Sequence, residues 1–237
     1  MSSGRLKCCV LVDFDGTIAT VDTTDALLER FAEPGWLDIE ADWQAGRMGS
    51  RECLVRQIDL IKASPKEYDE FVESIEIDPG FIPFVEECKA RDLDIMVVSD
   101  GLDRTVGTVL KRAGLDLPFR ANRLQAVGTD RWRLTFPHAR GDCQPLSGNC
   151  KCQFADAARG SVRVVVGDGR SDFCVAGRAD LVLAKSSLVE HCRKNALPHF
   201  AISNFDEATD IFLRWLDDRA GRVEDGPMIL TEQSRDE

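Results

Sequence analysis

Apolar residues along this chain follow two rhythms: short unbroken runs rich in Val, Leu and Ile, and longer stretches where they recur every three or four positions. Runs of the first kind are Cys8-Cys9-Val10-Leu11-Val12, Ile95-Met96-Val97-Val98, Val162-Arg163-Val164-Val165-Val166 and Leu181-Val182-Leu183-Ala184. They read as strands buried on both faces, the pattern of a parallel sheet, and a last strand near His199 to Ile202 completes it. After Thr17 the helical rhythm continues with no intervening strand, predicting helices over 23–32, 36–46, 50–63 and 65–76. In the third, Leu54, Ile58 and Ile61 form a packed face. The fourth has a clear start, with Ser64 as N-cap, Pro65 at the first position and Glu67 closing a capping box.

Asp78-Pro79-Gly80 turns the chain back, and a helix over 81–91 leads into the second strand. A helix over 103–113 stops at Gly114, before a short strand from Leu117 to Arg120. Residues 122–136 read as a hairpin, turning at Gly128-Thr129-Asp130 with Trp132, Leu134 and Phe136 on one face, Trp132 as packing. Lys151 opens a helix after a Gly-Asn-Cys turn. A further helix falls within Lys185 to Leu197, and Asn204 caps a final one over 205–218 that packs through Ile211, Phe212 and Trp215. The expected fold is α/β: a discontinuous Rossmann-like core (1–17 and 79–218), a helical insertion (18–78), a small β-hairpin, and a polar, poorly ordered tail (219–237).

Chemistry concentrates where the strands end. The first closes in Asp13-Phe14-Asp15-Gly16-Thr17, the second in Ser99-Asp100-Gly101, the third in Gly167-Asp168-Gly169-Arg170-Ser171-Asp172. Ligands of open α/β sheets bind at such carboxyl ends. With these strands side by side, Asp13, Asp15, Asp168 and Asp172 converge, and like charges that close call for a cation. Hard oxygen donors with no dedicated histidine favour Mg²⁺. Ser99, the Gly101 amide and Lys151 then supply donors for phosphate oxygens.

Asp13-Phe14-Asp15-Gly16-Thr17, Ser99-Asp100-Gly101, Lys151 and Gly167-Asp168-Gly169-Arg170-Ser171-Asp172, in that order, resemble the four motifs of the haloacid dehalogenase-like phosphatases, over about residues 6 to 205. The resemblance implies a two-step transfer through an aspartyl phosphate. Asp13 would be the nucleophile, and Asp15 the acid that protonates the leaving oxygen and later the base that activates water. Asp13, Asp168 and the Asp15 carbonyl would hold Mg²⁺, with Asp172 ordering the metal's waters or Lys151. Ser99 and Lys151 would neutralise phosphate charge, and Thr17 and Gly101 would add contacts. The inserted helices resemble the cap of the phosphoserine phosphatase-like branch, which excludes water and selects substrate.

Within that branch, Phe136-Pro137-His138, Cys143-Gln144, Gly148-Asn149-Cys150-Lys151 and Ser50-Arg51-Glu52 are similar to the methionine-salvage phosphatases, whose substrate is 2-hydroxy-3-keto-5-methylthiopentenyl-1-phosphate. Ser147 departs from that pattern, standing where a further cysteine is expected. Gln57 stands where the phosphoserine phosphatases carry an arginine for the substrate carboxylate. A small phosphorylated metabolite is therefore the expected partner: the salvage enol phosphate or a related phosphosugar first, phosphoserine second. Arg47, Arg51, Arg56 and Asp22 are candidate specificity contacts. A receiver-type signalling domain builds a similar acidic pocket, but it needs no inserted helices. An inactive phosphate-binding protein would not need both Asp13 and Asp15.

Composition narrows the rest. At 237 residues, 43% hydrophobic and 30% charged, the chain supports one full core and a smaller module. A net charge of −11 disfavours nucleic acid and anionic membranes as partners, and leaves oligomeric state open. No signal peptide or membrane-length apolar run appears, so the cytoplasm is the expected compartment. Of nine cysteines, Cys8, Cys9, Cys88 and Cys174 read as buried thiols. His138, Cys143, Cys150 and Cys152 are open to three readings: structural zinc, a disulfide from Cys143, or packed thiols. Their spacing is poor for zinc.

Overall fold

Strand β1 (Cys8–Val12) lies at the centre of the sheet because its apolar side chains are covered on both faces, Val10 and Val12 completely. A computed structural model describes residues 7–224. In it β1 is followed by four helices, α1 (Thr23–Phe31), α2 (Trp36–Gln44), α3 (Ser50–Asp59) and α4 (Pro65–Glu73). Then come α5 (Phe81–Ala90), β2 (Asp94–Leu102), α6 (Asp103–Arg112), β3 (Phe119–Ala126), β4 (Trp132–Thr135) and α7 (Cys152–Ala157). The chain continues through β5 (Val162–Gly167), α8 (Phe173–Ala176), β6 (Leu181–Ala184), α9 (Ser186–Lys194), β7 (His199–Ala201) and α10 (Phe205–Glu224). The seven strands run in the order β4-β3-β2-β1-β5-β6-β7. All pairs are parallel except β3 with β4.

α1 to α4 leave and rejoin the core through a narrow neck. Ala19 bridges Ile77, the Thr20 amide donates to the Glu76 carbonyl at 3.1 Å, and the Asp78 amide to that of Ile18 at 2.9 Å. The insertion also touches the core across the sheet edge. Amides of Ser50 and Arg51, which open α3, donate to the carbonyls of Pro145 (3.2 Å) and Leu146 (3.1 Å). No side chain caps this helix, so a core loop satisfies amides that helix geometry leaves unpaired. A Cβ on Gly49 would sit 2.8 Å from that of Leu146, which is how close the two chains pass. Trp132 is packing: its buried ring lies 4.7 Å from that of Tyr68 and its Nε1 donates to Ala63 O at 2.9 Å, tying β4 to the insertion.

Several expectations shift. The helix over 50–63 ends at Asp59, because Ile61 leaves it to bridge Ala32. Its buried face is Cys53, Gln57 and Ile58, with Leu54 only half-buried. The helix over 65–76 ends at Glu73, before Ile77 enters the neck, and that over 36–46 ends at Gln44. The short strand near 117–120 and the first arm of the hairpin are one strand, β3, pairing with β2 through Phe119 and Arg120 and with β4 through Arg123 to Ala126. α10 continues to Glu224 rather than 218, and the rest of the expected tail lies outside the described residues. The nine cysteines are free thiols, and Cys174 is exposed rather than buried. Cys143, Cys150 and Cys152 pack in an apolar cluster, and His138 meets the edge of Phe154. The signals at Ser64 and Asn204 act as caps, and Gly114, at φ +71°, ends α6 in the left-handed conformation.

Candidate active site

Parallel register brings the motifs together. Val12 pairs with Val97 of β2 on one side and Val166 of β5 on the other, so Asp13, Ser99 and Asp168 emerge next to one another at one edge of the sheet. The Asp13 amide still donates to Val166 O, at 2.9 Å. Gly16 then turns the chain at φ +66°, and a Cβ there would sit 2.6 Å from Asp168 Oδ2, so only glycine passes.

Lys151 reaches this edge from the loop before α7. Its Nζ lies 2.7 Å from Asp13 Oδ1 and 2.7 Å from Asp172 Oδ1, and donates to Ser171 Oγ at 2.9 Å. All three charged groups are buried, Asp172 to 1% exposure. Asp172 Oδ2 in turn accepts from the amide of Asp168 at 3.2 Å. Oxygens of Asp13, Asp168 and Asp172 lie within 4.8 Å of one another. Burial opposes charge on Lys151, but Asp13 and Asp172 more than offset it and its pKa lies above that of an ordinary lysine. Burial and then Asp172 hold Asp13 well above the usual carboxylate range; the same causes push Asp168 up to about 6. One ammonium faces three carboxylates, which leaves two negative charges in excess when all are ionised. A divalent hard cation fits this donor set.

Asp15 stands apart from that group. Its Oδ1 accepts from the amide (2.9 Å) and hydroxyl (2.5 Å) of Thr23, the first residue of α1, while its Oδ2 accepts from Ser99 Oγ at 3.2 Å. Ser99 Oγ also accepts from the Gly101 amide at 2.8 Å. A Cβ on Gly101 would overlap Asp15 Oδ2, so a side chain here would displace that carboxylate. Thr17 donates to Asp168 Oδ1 at 3.3 Å. The structure thus gathers every predicted site residue: Asp13, Asp168, Asp172 and Lys151 on one side, Asp15, Ser99 and Gly101 on the other, Thr17 behind Asp168.

Three contributors escaped the sequence reading. Thr23 fixes Asp15, and Ser171 contacts Lys151 and, at 3.4 Å, Asp13 Oδ2. Asn149 is buried, with its Nδ2 donating to the carbonyls of Ser99 and Arg120, both at 2.8 Å. Its amide donates to the Asp100 carboxylate at 2.8 Å, so Asn149 braces the end of β2 that carries Ser99. The signals were adjacency alone: Thr23 beside a capping Asp22, Ser171 inside an acidic motif, Asn149 in the turn before Lys151.

A cavity of about 1070 Å³ opens over this edge, lined by Asp13, Asp15 and Asp168 from the core and by residues of α1, α2 and α3. Of the candidate specificity residues, Asp22 and Arg47 line it. Asp22 caps α1, and Arg47 forks onto Asp42. Arg51 Nε donates to Leu146 O, and Arg56 pairs with exposed Glu52. Gln57 lines the cavity but gives its amide to Glu40 Oε2 at 3.0 Å.

Comparison with known proteins points the same way. Residues 10–177 match the model of the haloacid dehalogenase-like hydrolases. The 2-hydroxy-3-keto-5-methylthiopentenyl-1-phosphate phosphatase of Geobacillus kaustophilus (strain HTA426) is 33% identical over 211 residues, 85% of this chain and 94% of its own. That of Exiguobacterium sp. (strain ATCC BAA-1283 / AT1b) is 32% identical over 203 residues, 83% of this chain and 93% of its own. A solved phospho-aspartyl intermediate analogue of phosphoserine phosphatase superposes with a TM-score of 0.68 at 22% identity, covering 87% of this chain and 99% of that one, a likeness of fold.

Proposed function

Since the chain belongs to the haloacid dehalogenase-like hydrolase family and is a phosphatase, we propose that it hydrolyses a small phosphomonoester through an aspartyl phosphate on Asp13. The observation that carries this reading is the position of Asp13: at the end of the central strand, held by Lys151, and facing the cavity. One Asp13 oxygen attacks phosphorus in line as the bond to the leaving oxygen breaks, and Asp15 gives that oxygen its proton. Asp15 then takes a proton from water as the water attacks the acyl phosphate, releasing phosphate and restoring Asp13. Lys151, Ser99 and the Gly101 amide balance charge on the transferring oxygens. Asp13, Asp168 and the Asp15 carbonyl would hold Mg²⁺, which when bound supplies charge neutralisation between nucleophile and phosphate. Asp172 holds Lys151 and the Asp168 loop in place.

The substrate we propose is 2-hydroxy-3-keto-5-methylthiopentenyl-1-phosphate or a related phosphosugar. It is supported by the relatives of that name and by Gln57, neutral and already bound to Glu40, which leaves phosphoserine's carboxylate no cation at that position. The family match, with four helices inserted after β1, sets the receiver-type reading aside. Among the described residues no helix is long and apolar enough to cross a membrane, and a small diffusible substrate suits a cytoplasmic setting.

Phosphate release from the enol phosphate, phosphosugars and phosphoserine tests this directly. Asp13→Asn and excess chelator are each expected to abolish release while the fold is kept. Full turnover in either case would overturn the mechanism, and phosphoserine turned over as efficiently as every sugar phosphate would overturn the substrate.

A further inference from the structure

The wall that the insertion gives to the cavity is acidic. Asp22 and Asp25 from the start of α1 and Glu40 from α2 line it, and among the described residues none of the three forms an ion pair. Glu40 accepts from Gln57 Nε2 at 3.0 Å and Gln44 Nε2 at 3.1 Å, and Asp22 from the amides of Thr24 (2.9 Å) and Asp25 (3.0 Å), all neutral donors. The acids feel one another: lost hydration first, then Glu40, push Asp25 up to about 6, and lost hydration followed by Asp15 pushes Asp22 up to about 8, so Asp22 is mostly protonated at neutral pH and the like charge of this wall comes from its neighbours. Two cations share the lining with them. Arg47 is committed to Asp42, and Arg170 lies over the Trp43 ring with its centre 4.7 Å away while donating to the Gln44 carbonyl. Glu52, a further acid on the lining, is neutralised by Arg56.

We infer that Asp22, Asp25 and Glu40 are specificity-determining residues: they restrict the leaving group to an uncharged, hydroxyl-bearing organic part and turn away esters that carry a carboxylate. The inference rests on the phosphatase reading of this cavity. A hydroxyl can bond to these acids, whereas a carboxylate brought beside Asp25 and Glu40 adds like charge in a confined space. Phosphate is exempt, because Lys151 beside Asp13 supplies the charge that meets it.

A matched pair of esters tests this. Glycerol 3-phosphate and 3-phosphoglycerate share a skeleton and differ by a hydroxymethyl against a carboxylate. With Mg²⁺ present, wild-type protein is expected to favour the glycerol ester by roughly tenfold or more in kcat/KM, the scale of one like-charge contact partly screened by water. Asp25→Asn and Glu40→Gln keep size and hydrogen-bonding oxygen, and each is expected to shrink the ratio several-fold, chiefly by lowering KM for phosphoglycerate. Melting curves verify that both variants are folded. Equal wild-type efficiencies, or a ratio that neither folded variant moves, would overturn the charge filter. Absence of release from p-nitrophenyl phosphate as well would instead overturn the phosphatase reading and the filter with it.

Discussion

Asp15 is held by two donors at one oxygen and by one at the other, and this asymmetry bears on what it can do. Two donors from Thr23 occupy Oδ1, while Oδ2 meets only Ser99 Oγ, so Oδ2 is the oxygen with room for proton transfer. Asp15→Asn should slow kcat far more for alkyl phosphates than for nitrophenyl phosphate, whose leaving group needs no proton. Thr23→Val removes the hydroxyl but keeps the amide; a hydrogen bond to a charged group is worth about 1.5–3 kcal/mol. It should therefore show the same leaving-group pattern at roughly tenfold smaller kcat, with Thr23→Ser restoring the rate. An equal loss on both ester types would argue against the acid role. The acidic cluster has its own signature. Asp168 rises from 3.8 in a free chain to about 6 in the folded one, so the folded state binds that proton more tightly. Its contribution to stability is full below pH 3.8 and lost as pH climbs through 6. A metal needs the ionised form, so the Mg²⁺-dependent rise in melting temperature should be larger at pH 7.5 than at pH 5, and a rise independent of pH would contradict the assignment.

At the scale of elements, legibility followed the physics of each signal. Runs such as Val164-Val165-Val166 are strands because branched residues crowd helices and fill a sheet buried on both faces, and all four were placed correctly. Caps at Ser64 and Asn204 were legible because they are local chemistry. Helix ends without such chemistry were not: Ile61 and Ile77 leave helical periodicity for bridges to Ala32 and Ala19, residues distant in sequence. The two pairings of β3 were hidden for the same reason, since a strand's edges are assigned by its neighbours. In the site, the acids, Ser99 and Lys151 stood out as charged or polar residues at strand ends. Thr23 and Asn149 did not, because a buried threonine or asparagine in a turn looks the same whether it braces a catalytic loop or nothing.

The whole molecule depends on one buried pair behind the neck. Asp78 lies where the insertion returns, and it accepts from the amides of Gly80 (3.0 Å) and Phe205 (3.1 Å) and from Lys185 Nζ at 3.3 Å. Lys185 also donates to the Thr17 carbonyl at 3.1 Å, joining the exit and return of the insertion to β6 and α10. Asp78→Ala leaves that ammonium nearly buried without a counter-charge, a change that costs about 3–5 kcal/mol. Urea unfolding should show the loss, and a change below about 1 kcal/mol would mean the neck is held by other contacts.

The core loop that completes the first turn of α3 makes that helix a clock. Were the insertion to swing away from the sheet edge, the amides of Ser50 and Arg51 would lose the carbonyls of Pro145 and Leu146 and meet solvent deuterium. Amides in the middle of the helix would stay shielded by their own turns. Exchange at these two positions thus counts openings of the cavity one by one, at neutral pH and without substrate. Vanadate or another phosphate mimic seated on Asp13 should slow the count, and exchange as fast as in an unstructured peptide, with or without the mimic, would show that the gate stands open.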